Sequence, residues 1–409
     1  MSSKIAVYLL QSLFGLVLLL GGNLAHAQCS GDLKSATVLT QTNLDGINTN
    51  EVVAYYRNAD GTLCEAGRYA TGGGSSVAAV MNEGKNSVLL TGNCLLVTNA
   101  GPSSLLDLTG SMSSFRVETD RLTLAGKVPS RGLIPISVTV RGPNGYVVNQ
   151  LSNSINAFSI DPATCAIAER PNSLRVLNRP ALGVLGNPAQ IQFTPDGKFL
   201  VVTDRQYPGV GLLRHYAIHV LPVGSDGLAA GDIVNDADGV MPYGFEFDAA
   251  GHLLVSNAGE PFLGLSSLTA YSVNPDGTLA PLNGGQVFAG GQSGACWVSY
   301  TTHTIRPTAY VMSLIGAVIS SYTVGADGSL TLLDEAAARG SNLVLLDGLD
   351  TALSEVSADS PEQYLYAINT SPAGLGGIVA YRVERNSALT QLGPILQGPA
   401  VGFSGLAAR

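Results

Sequence analysis

The sequence predicts an all-β chain folded as a seven-bladed β-propeller of four-stranded antiparallel blades. Three observations lead there: a repeated strand that runs into a turn, a strand–turn–strand motif upstream of it, and chain ends that complement each other. The repeat is clearest in AYSVNPDGTL from Ala270, SYTVGADGSL from Ser321 and AYYRNADGTL from Ala54. With Tyr55, Tyr271 and Tyr322 as anchors, Asp-Gly follows at five and six residues and Leu at eight. Phe115, Phe158, Leu221 and Tyr381 fit the same frame, which places seven anchors 43 to 63 residues apart. A period of this length points to an array of small antiparallel sheets. Asp-Gly supplies the positive φ of a tight hairpin turn, and the flanking residues alternate as strands do.

The upstream motif reads PISVTVRGPNGYVVN from Pro135, PAQIQFTPDGKFLVVTD from Pro188 and PYGFEFDAAGHLLVSN from Pro242, with a weaker copy from Asp350 to Asn369. Each is an apolar strand, a Gly-containing turn and a second strand that ends in Asn, Asp or Ser. Joined to the anchor motif it gives four hairpin-connected strands per unit. The N-terminal region enters at a second-strand segment, Thr37 to Asn43, and the C-terminus finishes with a lone first strand from Pro399 to Ala408. Pairing the two closes the ring and leaves no open sheet edge. Leu330–Ala338 is the one stretch after the N-terminal segment with a helical look, and its place after a turn favours strand. Gly72-Gly73-Gly74 and the stretch from Pro180 to Pro188 read as surface loops.

Residues 1–27 read as a signal peptide: Lys4, an apolar run from Ile5 to Leu20, then Ala25-His26-Ala27 before the cut. The run is shorter than a membrane span needs, so no span is expected after processing. Residues 28–409 are expected to form a single propeller, secreted or periplasmic and monomeric. A ring of repeats this long is feasible because each blade packs only on its neighbours. Only 12% of the residues are charged and the net charge is −9, with no basic cluster, which argues against nucleic-acid binding. The five cysteines, Cys29, Cys64, Cys94, Cys165 and Cys296, are odd in number with no deducible pairing, and read as buried small side chains with a single bridge among them.

At this point the chain resembles the lactonase-type seven-bladed propellers, which include 6-phosphogluconolactonase of the propeller kind and fungal carboxymuconate lactonizing enzymes. The motifs that carry the likeness are VVAYYRNADGTL, LLVTNAG, FTPDGKFLVVTD, PYGFEFDAAGHLLVSNAG, ACWVSYTT, ISSYTVGADGSLTLLDEAA and the closing GLAA. They run from about Val52 to the C-terminus. The resemblance implies a His after the Pro of one inner strand, an Arg after the Pro of the next, and a Glu at the end of that blade's second strand. Proton transfer and anion binding in a central channel would follow from such a set. The matching positions here hold Gln190, Tyr243 and Asn257. Gln and Asn exchange no protons and Tyr carries no positive charge at neutral pH, so the family's proton-transfer groups are substituted.

Other candidates are few. His215 and His219 share one face of a strand but lie about 13 Å apart, too far for a common ion. His252 follows a turn and should face solvent, and His303 lies in a turn. Asp60, Asp226, Asp276 and Asp327 are turn residues. Asp204, Glu246 and Asp350 stand out because they lie in or at the ends of strands, with Arg205 following Asp204 and Asp350 read as structural. Trp297 is either core or a platform for a ligand. The strand-end set Asn99, Asn149, Asp204, Asn257 and Asn369 would suit a polar ring facing a neutral, hydroxyl-rich ligand, and Asn369-Thr370-Ser371 is a lone glycosylation sequon. The residues expected to meet substrate are Gln190, Asp204, Arg205, Tyr243, Glu246, Asn257 and Trp297. No catalytic residue is assigned, and neither cofactor nor metal is expected. Two functions compete: an exported enzyme acting on lactones or cyclic esters by hydrolysis or lactonisation, and a non-catalytic ring that binds carbohydrate, a cell-envelope component or protein.

Overall fold

Turn chemistry sets the outer edge of each blade. The anchors Tyr55, Phe115, Phe158, Leu221, Tyr271, Tyr322 and Tyr381 all lie on third strands, and the turn that follows each leads to the outer strand. At the turn tips Asp60, Asp226, Asp276 and Asp327 each accept the backbone N–H two residues on, as their turn role requires. Gly61 takes φ +84° in the first of these turns, and a Cβ there would meet the Tyr364 ring at 2.3 Å.

The computed structural model describes residues 29–42, 46–74, 85–102, 109–178, 186–205, 216–259, 264–315, 318–339, 350–356, 361–369, 377–397 and 403–409. Gly31 to Arg409 make up the propeller. The signal peptide, His215 and the last two residues of the sequon fall outside the described residues. Seven antiparallel sheets of four strands follow one another around the ring, two of them with a short extra strand. From the inner strand outwards, blade 1 combines Phe403–Ala408 with Thr37–Thr42, Glu51–Arg57 and Leu63–Ala70. The inner strands of blades 2 to 7 are Val88–Thr91, Pro135–Arg141, Pro188–Phe193, Pro242–Phe247, Ser293–Thr301 and Asp350–Leu353. Leu330–Arg339 is a strand, the outer one of blade 6. Among the described residues no helix is long and apolar enough to cross a membrane.

Ring closure is as the chain ends imply: Val38 pairs with Ala408, Leu39 with Ala407 and Thr42 with Phe403. The two ends of the domain thus satisfy each other's backbone groups. Apolar clusters fill the spaces between consecutive blades. Ile136, Tyr146 and Val148 of blade 3 meet Ile191, Leu200 and Val202 of blade 4, and Val38, Val53 and Tyr55 of blade 1 meet Tyr364, Tyr366 and Ile368 of blade 7. A tyrosine hydroxyl on a second strand often caps the turn of the next blade: Tyr146 donates to Gly227 O, Tyr310 to Ser387 O and Tyr366 to Gly61 O. Burying a Tyr this way satisfies its O–H while its ring fills the inter-blade core.

Three expectations are corrected. Four cysteines, not two, are in disulfides: Cys29, Cys64 and the bonded pair Cys94–Cys165; Cys296 is buried, its Sγ 3.2 Å from Gly294 O. The pair Cys94–Cys165 joins blades 2 and 3 across 71 residues of chain, which restricts the unfolded ensemble. Gly73 and Gly74 are buried, because Gly73 packs where a Cβ would lie 2.3 Å from Asn99. His252 is half-buried, held by Asp248 Oδ2 at 2.7 Å.

Candidate functional site

Inner strands of five blades carry a bulge near their start: between Pro135 and Ser137, Pro188 and Gln190, Pro242 and Phe245, Ala295 and Trp297, and opposite Thr40–Gln41 in the closing strand. A bulge re-aims the side chains beside it, and its recurrence sets which residues leave the blade plane. In blades 4 to 6 it brings three of the expected residues together. The Arg205 guanidinium lies over the Tyr243 ring at 4.3 Å, and Tyr243 meets Trp297 edge to face at 4.8 Å. Arg205 follows the second strand of blade 4, Phe199–Asp204, and is 1% exposed. It donates through Nε to Asn187 O at 3.4 Å and through Nη2 to Asn187 Oδ1 at 3.1 Å, while Nη1 has no partner among the described residues. A buried guanidinium N–H left unbonded is costly, so this nitrogen is suited to receive an acceptor from a ligand.

Asp204 supports this group from below. Its Oδ1 accepts Asn187 N at 2.7 Å, and its Oδ2 lies 3.6 Å from His219 Nε2. On the other side His219 Nδ1 is 3.0 Å from Asp232 Oδ1. Burial on its own would lower the imidazolium's pKa, but hydrogen bonding to Asp204 and Asp232 outweighs it and pushes the group up to about 9. Blade 4 therefore holds a buried acid–histidine–acid row beside the arginine.

A second group lies further along the same inner strands. Lys85 of blade 2 reaches over to blades 5 and 6, where its Nζ is 2.9 Å from Glu246 Oε1 and donates to Val298 O and to Ser299 Oγ. Ser299 Oγ is 2.8 Å from Thr351 Oγ1 of blade 7. Next to Thr351, Asp350 accepts the backbone N–H groups of Thr351 at 2.7 Å and Leu406 at 2.8 Å, which ties blade 7 to the closing strand. Burial pushes Asp350 up to about 7, against the pull of Lys85 and with a smaller push from Glu246. Its structural reading is consistent with these bonds. Residues of five blades line an open cavity of about 240 Å³ here, among them Lys85, Glu246, Ser299, Thr351 and Leu406.

Of the remaining expected residues, Gln190 accepts Phe245 N at 2.9 Å and donates to Phe245 O at 2.8 Å. Its amide imitates a strand partner and stitches blade 4 to blade 5. Asn257 is buried and donates to Ser267 Oγ and Thr269 Oγ1 at 3.1 and 2.9 Å. Asn99 and Asn149 are likewise buried and bonded to hydroxyls of their own blades, so these amides form internal pegs rather than a ring facing the channel. The substituted positions 190 and 257 thus have building roles, whereas Arg205, Tyr243 and Trp297 cluster and Glu246 stands with Lys85. Lys85 escaped the sequence argument. The available signal was a lysine three residues before the apolar VLL of an inner strand, in a chain poor in charge. Among the described residues no group of three or more His, Cys, Asp or Glu could hold a metal.

The profile of the family described as "Lactonase, 7-bladed beta-propeller" matches residues 48–182 and 142–284, more than half of the chain. No protein among those of curated function matches it in sequence. A solved protein from Lactobacillus plantarum superposes with TM-score 0.66 at 16% identity, covering 91% of this chain and 99% of that one. The periplasmic gluconolactonase of Pseudomonas aeruginosa gives TM-score 0.62 at 16% identity, covering 91% and 98%. A candidate 6-phosphogluconolactonase from Bacteroides fragilis gives 0.62 at 14%, covering 92% and 98%. At these identities the structures speak for the fold, and the family match supplies the rest: the chain belongs to the lactonase family of seven-bladed β-propellers.

Proposed function

We propose that the protein works outside the reducing cytosol on lactones or related cyclic esters, held in the central channel with an anionic group of the substrate against Arg205. The observation that carries this is the guanidinium stacked on Tyr243 with Nη1 unbonded among the described residues. The resemblance expects a cation at position 243; here the aromatic ring at that position carries a cation supplied by the neighbouring blade. Arg suits the task because it stays charged and presents a planar fork of donors to a carboxylate or phosphate. The Cys94–Cys165 bond supports export, since such bonds persist in oxidising compartments.

The test is a screen of sugar lactones and muconolactones at neutral pH, each with and without a carboxylate or phosphate, followed by proton release. Turnover is expected, and Arg205→Met should raise KM about tenfold for anionic substrates, near 1.4 kcal/mol, with little change for neutral ones. An equal effect on both classes would remove Arg205 from substrate binding. A panel with no turnover would sink the enzymatic reading. If sugars or envelope fragments then altered Trp297 fluorescence, the protein would be a binding ring instead.

A further inference from the structure

The Lys85–Glu246 pair lies further along the inner strands that carry the arginine cluster, Glu246 three residues after Tyr243 and its neighbour Ser299 two after Trp297, and nothing in the family likeness assigns it a task. Its surroundings are unlike those of a surface ion pair. The Lys85 side chain is 7% exposed and Glu246 24%, and both line the cavity of about 240 Å³. Lys85 is fixed by three acceptors from blades 5 and 6, so its ammonium is held in place rather than free to swing. Glu246 is paired with Lys85 through Oε1, and its side chain, about a quarter exposed, lies on the wall of the cavity. A carboxylate held by a fixed partner at the wall of a cavity is placed as a general base needs to be. The ammonium beside it is a fixed positive charge where negative charge would develop on a carbonyl oxygen.

From this we infer that the cavity is a hydrolytic site in which Glu246 activates water and Lys85, with Ser299 at 3.3 Å from its Nζ, stabilises the oxyanion of a lactone. The inference rests on the lactone reading and names groups for its chemistry. Glu246 takes a proton from water as the water oxygen bonds to the lactone carbonyl carbon. The carbonyl electron pair moves onto oxygen beside Lys85. Collapse of that intermediate breaks the ring C–O bond, and the proton on Glu246 passes to the departing ring oxygen. One lactone and one water give one hydroxy acid, and Glu246 returns to its starting form. No oxidant, metal or further reactant is required.

The experiment uses the full chain and glucono-δ-lactone, with the wider lactone panel behind it. Rates are measured above the spontaneous reaction, as a function of pH, for the parent, Glu246→Gln, Glu246→Asp and Lys85→Met. Glu246→Gln should lower kcat at least about a hundredfold with KM changed less than about threefold, as loss of a general base does. The acid limb of the parent's pH profile should vanish in the same variant. Lys85 and Asp350 are the charged groups facing Glu246, and an acid limb that shifts in Lys85→Met but disappears only in Glu246→Gln assigns it to Glu246. Melting curves establish that each variant is folded; if Glu246→Gln is not, Glu246→Asp keeps the charge, and a drop of about tenfold in its kcat supports the role. A folded Glu246→Gln that keeps the parent's kcat and acid limb overturns this inference and leaves the lactone reading standing. A parent inactive on the whole panel overturns both.

Discussion

Blades 4 and 5 build the same corner from different chemistry. In blade 5 the second strand ends in Asn257, opposite Ser267, with Thr269 two residues on, and both hydroxyls take hydrogens of the Asn257 amide. Blade 2 repeats this with Asn99, Ser111 and Ser113. Behind each amide sits a glycine, Gly239 or Gly73, where a Cβ would come within 2.0 or 2.3 Å of it. Blade 4 places Asp204 opposite Ala217 and His219 two residues on. The neutral peg leaves an Asn257 carbonyl oxygen unbonded, whereas blade 4 leaves a donor nitrogen of a cationic side chain, Arg205 Nη1, without a hydrogen bond and sets His219 Nε2 3.6 Å from Asp204. An unsatisfied charged donor costs more than an unsatisfied amide oxygen. A repeat that gives up a neutral solution at one blade carries strain that packing alone does not require, and such departures are where function is expected.

That contrast can be broken most forcefully at His219. Replacing it with Leu strands Asp204 and Asp232 in the interior, and denaturant unfolding should show a loss of about 3–5 kcal/mol. A loss below about 1 kcal/mol would make blade 4 no different from its neighbours. The pH dependence comes next in size. The folded His219 lies above its ordinary 6.5, so its stabilisation is fully present below pH 6.5 and is lost as pH rises through about 9. The shift corresponds to about 3 kcal/mol at most. Asp350, raised from 3.8 to about 7, favours the protonated native state, so stability also declines as pH rises from 3.8 to about 7. Unfolding curves across pH 4 to 10 should show both declines, and His219→Gln should remove only the alkaline one. A decline above pH 7 that persists in this variant would assign it elsewhere. The smallest effect sharpens the comparison: giving blade 4 the blade 5 set through Asp204→Asn, Ala217→Ser and His219→Thr should cost about 2 kcal/mol, less than His219→Leu alone. It should also abolish the alkaline decline. A triple variant less stable than His219→Leu would mean that the two corners are not interchangeable.

Legibility in the sequence followed the range of the interaction. Every anchor from Tyr55 to Tyr381 sits on a third strand, because the turn and the alternation that mark it lie within ten residues. Arg205, Tyr243 and Trp297 were each singled out, yet their stacking was not, since they come from three blades and meet through bulges in the inner strands of blades 5 and 6. Asn99, Asn149 and Asn257 looked like a ligand ring because strand-end amides are polar. Whether such an amide faces the channel or its own blade is decided by a glycine and a pair of hydroxyls elsewhere in the chain.

By itself, then, the sequence determined the repeat, the turns, the strand order within a blade and the closure of the ring by its two ends. All of these follow from local backbone preference and from unpaired edges that have one partner available. Tertiary structure alone decided that Cys29, Cys64, Cys94 and Cys165 are all disulfide-bonded, and it decided the cation on Tyr243 and the reach of Lys85 to blade 6, 213 residues away. Charges and thiols act over a few ångströms, and a ring brings together side chains from blades that no local pattern relates. Their partners are set by the angle at which seven similar sheets meet around one axis.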